Sequence, residues 1–125
     1  MGADRAVSTW SKVATYDATG EFYTFSPPKS FDRWDLRFIN DSANTMTWTI
    51  EALDVDGDAV AITNGGSAYT TAGNSGLDIT IQSTHIYQVK VTCTGTSPNC
   101  KVKVNAYRDL DGIFNTYGSS VAAST

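Results

Sequence analysis

Residues 33–38 read Arg, Trp, Asp, Leu, Arg, Phe, so every even position is large and apolar and every odd one is charged. That alternation is the period of a β-strand with one dry face and one wet face. It returns from Thr45 to Ile50, from Tyr87 to Val91 and from Lys101 to Ala106. No comparably long segment keeps apolar residues at i, i+3, i+4 and i+7, which argues against any substantial core helix. With alternation read as strand and Gly, Pro, Asn and Asp as stops, about eight strands are predicted, near 6–16, 21–26, 31–40, 45–55, 58–63, 77–82, 85–93 and 100–108.

The interruptions carry their own chemistry. Asp17, Ala18, Thr19 and Gly20 form a turn, residues 40–44 a polar hairpin loop, and Pro27 with Pro28 stops any ladder because two successive residues lack a backbone donor. Met46, Trp48, Ile50 and Ala52 share one parity while Leu53 and Val55 take the other. This change of buried face predicts a bulge, or a strand crossing between two sheets, near Ala52 and Leu53. Asp56 and Gly57 then read as a tight hairpin. Residues 63–76 read as a long surface loop of the kind that serves interaction, with Tyr69 its one large side chain. Residues 116–125 hold too little apolar surface to order themselves, so the expected division is a domain of residues 1–115 and a flexible or docking tail. Short, regularly spaced strands predict an all-β fold: a single antiparallel β-sandwich, immunoglobulin-like or jelly-roll.

Composition narrows the function. A chain of 125 residues makes one domain large enough for a core without metals. A net charge of −4 argues against nucleic acid as a partner, which would need a concentrated basic face. Lys101 and Lys103 share a strand face and with Lys90 could form a small basic patch, though a solvated strand surface explains them more simply. No apolar run approaches the roughly 20 residues of a membrane span, so no membrane partner is expected. Residues 1–6 lack an apolar secretory region, which reads as a soluble protein made in a cytoplasm, or as a trimmed piece.

Candidate chemistry is sparse. Cys93 and Cys100 flank a run of turn formers at the loop ends of two strands, so a hairpin would bring them together and a disulfide is geometrically plausible; two reduced thiols are the alternative. Asp54, Asp56 and Asp58 have the carboxylate density of a calcium loop. The downstream glutamate and flanking helices of an EF-hand are missing, so no metal and no cofactor is assigned, and an ordinary acidic turn is the simpler reading. The cluster at Asp109 and Asp111 reads equally as a turn, and the two clusters could form a shared cation site only if they met at one end of the sandwich. His85 is the only imidazole, and no nucleophilic elbow or Cys–His arrangement assembles around it. Paired acids for glycoside hydrolysis cannot be recognised from spacing. No catalytic residue is therefore assigned, and the chain reads as a non-enzyme.

Trp34, Phe38 and Trp48 share parity within their strands and read as core, whereas Trp10, Tyr16, Tyr23, Tyr69 and Tyr117 are open to either core or surface. The pair Ile113 and Phe114, beside a weakly structured tail, reads as an anchor into a neighbour or into the sandwich end. Partner contacts are accordingly expected at Trp10, Tyr69, Ile113, Phe114 and Tyr117, within residues 1–10, 63–76 and 113–125.

The leaderless start at Met1 and Gly2, the acidic Thr/Ser/Asn/Gly-rich body from Asn40 to Gly76 and the Ser/Ala/Thr tail from Ser119 to Thr125 together resemble the small β-sandwich proteins of tailed-bacteriophage virions, particularly capsid decoration or cement proteins. The resemblance covers the whole chain in style and carries no site residues. It implies a non-enzymatic virion protein that binds the outside of a capsid or other virion protein as a homo-oligomer, often a trimer, and stabilises the shell. The other classes are a carbohydrate-binding module, which needs a flat row of exposed aromatics, and a secreted accessory domain, which would account for the cysteine pair and place the chain outside the cell.

Overall fold

A computed structural model describes residues 8–83 and 86–108. These residues form β1 (Ser8–Tyr16), β2 (Phe22–Phe25), β3 (Arg33–Asn40), β4 (Met46–Leu53), β5 (Ala59–Ile62), β6 (Tyr69–Thr71), β7 (Ser75–Gln82), β8 (Gln88–Thr94) and β9 (Cys100–Arg108). The first sheet runs β1-β9-β3-β7; the second runs β2-β8-β4-β5, with β6 also pairing β4. Every pairing is antiparallel.

The order of the strands selects between the two expected sandwich types. β5 pairs with β4 over residues 50–53 and β6 pairs with it over 46–48, so the two act as halves of one interrupted edge. The first strand then pairs with the last, β2 with β8, β3 with β7, and β4 with the β5/β6 edge. A single long hairpin folded over on itself in this way is the double Greek key of a jelly roll.

Alternation places the core as anticipated. Trp34, Leu36 and Phe38 of β3 face Met46, Trp48 and Ile50 of β4 across the interior, all essentially inaccessible, with Val89, Val91, Val102, Val104 and Ala106 between them. Tyr16 stacks edge-on against Trp48 at 5.3 Å and Phe38 lies 4.9 Å from the same ring. Aromatic contacts of that geometry add to the burial of their area. The polar tips are satisfied: Trp34 Nε1 donates to Phe31 O, Trp48 Nε1 to the Thr71 hydroxyl and Tyr16 Oη to Val91 O, at 3.0–3.1 Å.

Three expectations are corrected. The ladder of β4 with β8 runs unbroken from Thr47 to Leu53, so there is no bulge and no crossing near Ala52. The parity change marks the strand end: Leu53 is half-buried on the outer side, and Val55 stands 68% exposed in the turn. Residues 63–76 are not one loop but hold a bridge between Asn64 and Ser67, all of β6 and the start of β7, giving a ninth strand. Cys93 and Cys100 do not flank a hairpin, because β8 and β9 lie in different sheets and residues 95–99 carry the chain across the sandwich.

Candidate interaction surface

The outward side chains of the first sheet gather charge. Arg33, Arg37, Lys101 and Lys103, four of the chain's nine basic residues, share this face with Asp35 and Asp78, two of its thirteen acids. Cross-strand register makes rows of them: Val13–Lys103–Arg37–Asp78 and Ser11–Asn105–Asp35–Thr80. Arg37 grips Asp78 with two parallel bonds of 2.8 and 3.1 Å, which hold the Asp78 carboxyl below its ordinary range and raise the guanidinium. Arg33 Nε lies 3.2 Å from Asp35 Oδ1, which also accepts the Thr80 hydroxyl at 2.8 Å. Lys101 and Lys103 are exposed and make no ion pair with any described residue. An acidic protein thus presents a net positive face, and a shallow depression of about 450 Å³ lies across it between Arg33 and Lys103. Lys90, weighed against a solvated strand surface as a third member of this patch, lies on the outer face of the second sheet, against the Phe22 ring at 4.4 Å. Lys103 gains Arg37 as its cross-strand neighbour in its place, while Arg33 lies opposite Tyr107 farther along the same face.

The outward face of the second sheet is built largely of threonine. Thr70, Thr47 and Thr94 form one cross-strand row, and Thr49 with Thr92 continues to Phe22. Among the described residues each outer face carries a single aromatic, Phe22 on the second sheet and Tyr107 on the first.

At the tip joining β4 to β5, Asp54, Asp56 and Asp58 bring carboxylate oxygens within 4.8 Å of one another. Asp54 Oδ1 accepts the backbone N–H of Asp56 at 2.9 Å and of Asp58 at 3.0 Å, and Gly57 takes φ +85°. The cluster therefore serves the turn that the sequence predicts.

Cys93 and Cys100 are two free thiols, both buried in the interior. Burial, reinforced by Cys100, pushes the Cys93 thiol up to about 12, and burial also raises Cys100. Cys100 Sγ reaches Asn40 Oδ1 at 3.4 Å. Asn40, fully inaccessible, accepts from the Ser42 N–H and hydroxyl and shares its amide donors among the carbonyls of Asn44, Thr71 and Ala72, at 2.7–3.2 Å. The sequence puts Asn40 both at the end of the strand predicted over residues 31–40 and at the start of the polar loop 40–44, and does not mark it as this hub. The available signal was its inward parity after Trp34, Leu36 and Phe38.

Of the expected contact residues, Trp10 is half-buried on β1, edge-on to Trp34 at 6.2 Å, and Tyr69 is half-buried on β6 opposite Trp48. The two lie on different sheets. Ile113, Phe114, Tyr117, His85, Asp109, Asp111 and the tail lie outside the described residues.

The sequence matches no protein-family model and no curated protein. In three dimensions the chain shares its fold with the SPBc2 prophage-derived protein YomS, at a TM-score of 0.54 and 15% identity over 82% of this chain and 95% of that one. A subunit of the disulfide-linked pili of Bacillus endospore appendages aligns at a TM-score of 0.49 and 12% identity, over 82% of this chain and 88% of that one.

Proposed function

We propose that this chain is a non-enzymatic structural protein of a phage particle, a capsid decoration protein that binds the outer shell and stabilises it. The observation that carries this reading is the segregated charge: a net positive sheet face on an acidic protein suits a broad protein surface of opposite sign. The jelly-roll fold shared with a prophage-derived protein supports it. So does the chemistry of the interior, where the groups displaced furthest in titration are Tyr16 and Cys93, sealed in the core away from any cleft. Lys101 and Lys103 supply attraction on this face, while Trp10, Tyr69, Ile113, Phe114 and Tyr117 are proposed as further contacts elsewhere on the chain. Repetition in a homo-oligomer multiplies weak contacts by avidity. The carbohydrate-binding alternative asks for a row of exposed aromatics, and neither outer face has one among the described residues.

The test is co-sedimentation of purified protein with phage particles lacking it. The double variant Lys101→Glu/Lys103→Glu keeps the native far-UV spectrum and loses binding by an order of magnitude or more, with the wild-type interaction weakening as salt rises. Undiminished binding by this variant, or binding indifferent to salt, removes the charged face from the account.

A further inference from the structure

Sheet edges are where β proteins guard against unwanted pairing, by shortness, proline, bulges or an inward-pointing charge. Three of the four edges here carry such a device. β1 places Lys12 on its inward parity between Trp10 and Ala14. β2 has four residues and runs into Pro27 and Pro28. The β5/β6 edge is broken into pieces of four and three residues. β7 carries none of these: its eight residues pair with β3 without interruption, its inward side chains are Leu77, Ile79 and Ile81, it has no proline, and its one charge, Asp78, points outward and is held by Arg37. Its outer backbone edge is bonded to no described residue. Beside its end lies an apolar cleft of about 260 Å³ lined by Val60, Ile62, Ile81 and Ile86, with Val60 66% exposed.

We infer that β7 is a pairing edge whose occupant is the β7 strand of a second copy, joined antiparallel about a two-fold axis through Ile79. Register argues for self-pairing. Directly opposed residues of an antiparallel pair point to the same side, so the axis must pass through a residue, and one residue shift changes every partner. Centring on Asp78 sets two like carboxylates face to face, and centring on Thr80 leaves Leu77 opposite the polar Ser83. Centring on Ile79 places Ile79 on Ile79, Leu77 on Ile81 and Asp78 on Thr80 of the second copy. Asp78 is already neutralised by Arg37 of its own chain, so the seam meets no unpaired charge there. The two first sheets become one eight-stranded sheet, and their basic faces become a single continuous surface. A two-fold contact makes a dimer, in place of the trimer implied by the virion resemblance, and it stands whether or not the shell-binding proposal holds.

The test uses an exposed position, and because Thr80 also faces Asp35 of its own chain, urea midpoints of both variants separate a change in folding from a change in pairing. Sedimentation of the wild type shows a monomer–dimer equilibrium. Thr80→Asp sets a carboxylate against Asp78 twice across the axis and weakens the dimer by about tenfold or more, and Thr80→Lys tightens it by a similar factor. Far-UV spectra check the fold of both variants. Register is read separately with Ile79→Cys and oxidised glutathione. The two introduced thiols, one from each copy, give up two protons and two electrons to the glutathione disulfide, leaving one intermolecular S–S bond and two reduced glutathiones, whereas Asp78→Cys, out of register with itself, stays uncrosslinked. A wild type that is monomeric at all concentrations, a trimer, or a dimer insensitive to both substitutions at Thr80 overturns the inference. So does a monomer whose β7 instead accepts an extended peptide from another protein.

Discussion

Asn40 holds one end of the sandwich together, and its contribution follows from being both donor and acceptor where no water reaches. It ties β3 to the loop after it, to β6 and to the Cys100 thiol. Asn40→Ala removes five hydrogen bonds from that corner, among them the one that reaches the buried Thr71 carbonyl, and urea denaturation is expected to show a loss of about 3 kcal/mol. Gly73 serves the same corner by its lack of a side chain, since a Cβ there would lie 2.4 Å from the backbone oxygen of Ala43. Gly73→Ala must push the loop away and is expected to cost about 1–3 kcal/mol in the same assay. The thiols give a pH prediction. Folding raises Cys93 from 9.0 to about 12, so the folded chain keeps a proton that the unfolded chain gives up. The stabilisation is complete below pH 9 and is lost as pH climbs toward 12, by about 1.4 kcal/mol per pH unit for this one group. Tyr16, also raised by burial, adds to the loss in the alkaline range. A thiol reagent at neutral pH is expected to label neither cysteine in the native protein and both after unfolding; no labelling after unfolding would reveal a disulfide.

At the scale of elements, the long alternating strands were legible in the sequence because their inward residues are uniformly large. β3, β4, β8 and β9 emerged within a few residues of where they lie. β6 was hidden, since Tyr69, Thr70 and Thr71 are too short a run to show a period and sit among Gly, Ser and Asn. The false crossing near Ala52 arose from treating Leu53 and Val55 as core, when a strand end leaves such residues half-covered or free. The jelly roll itself was not legible beside the immunoglobulin-like alternative, because both share the same strands and differ in long-range pairing. The candidate surface was half legible: Lys101 and Lys103 were visible as a pair, but only the β3–β9 register brings Arg37 beside Lys103 and sets Arg33 on the same face, and the β4–β8 register sends Lys90 to the far side. Lys12 carries a prediction at this scale. As the inward charge of an exposed nine-residue edge, it discourages pairing. Lys12→Val is expected to fold normally and to associate further, seen by light scattering as growth beyond the wild-type species; unchanged scattering would show that β1 needs no guard.

For the whole molecule, two sheets seal their apolar sides against each other and leave two unlike outer faces, one basic and one rich in threonine. The shell-binding account requires this chain to be a fixed component of a particle, with its basic face toward the surface it covers. Quantitative mass spectrometry of purified phage particles, combined with their reconstruction by electron microscopy, tests that claim most directly. The account predicts a constant number of copies per particle and jelly-roll density on the outer shell with Lys101 and Lys103 at the contact. Recovery of the chain only in the soluble fraction, with particles complete and stable in its absence, would contradict it.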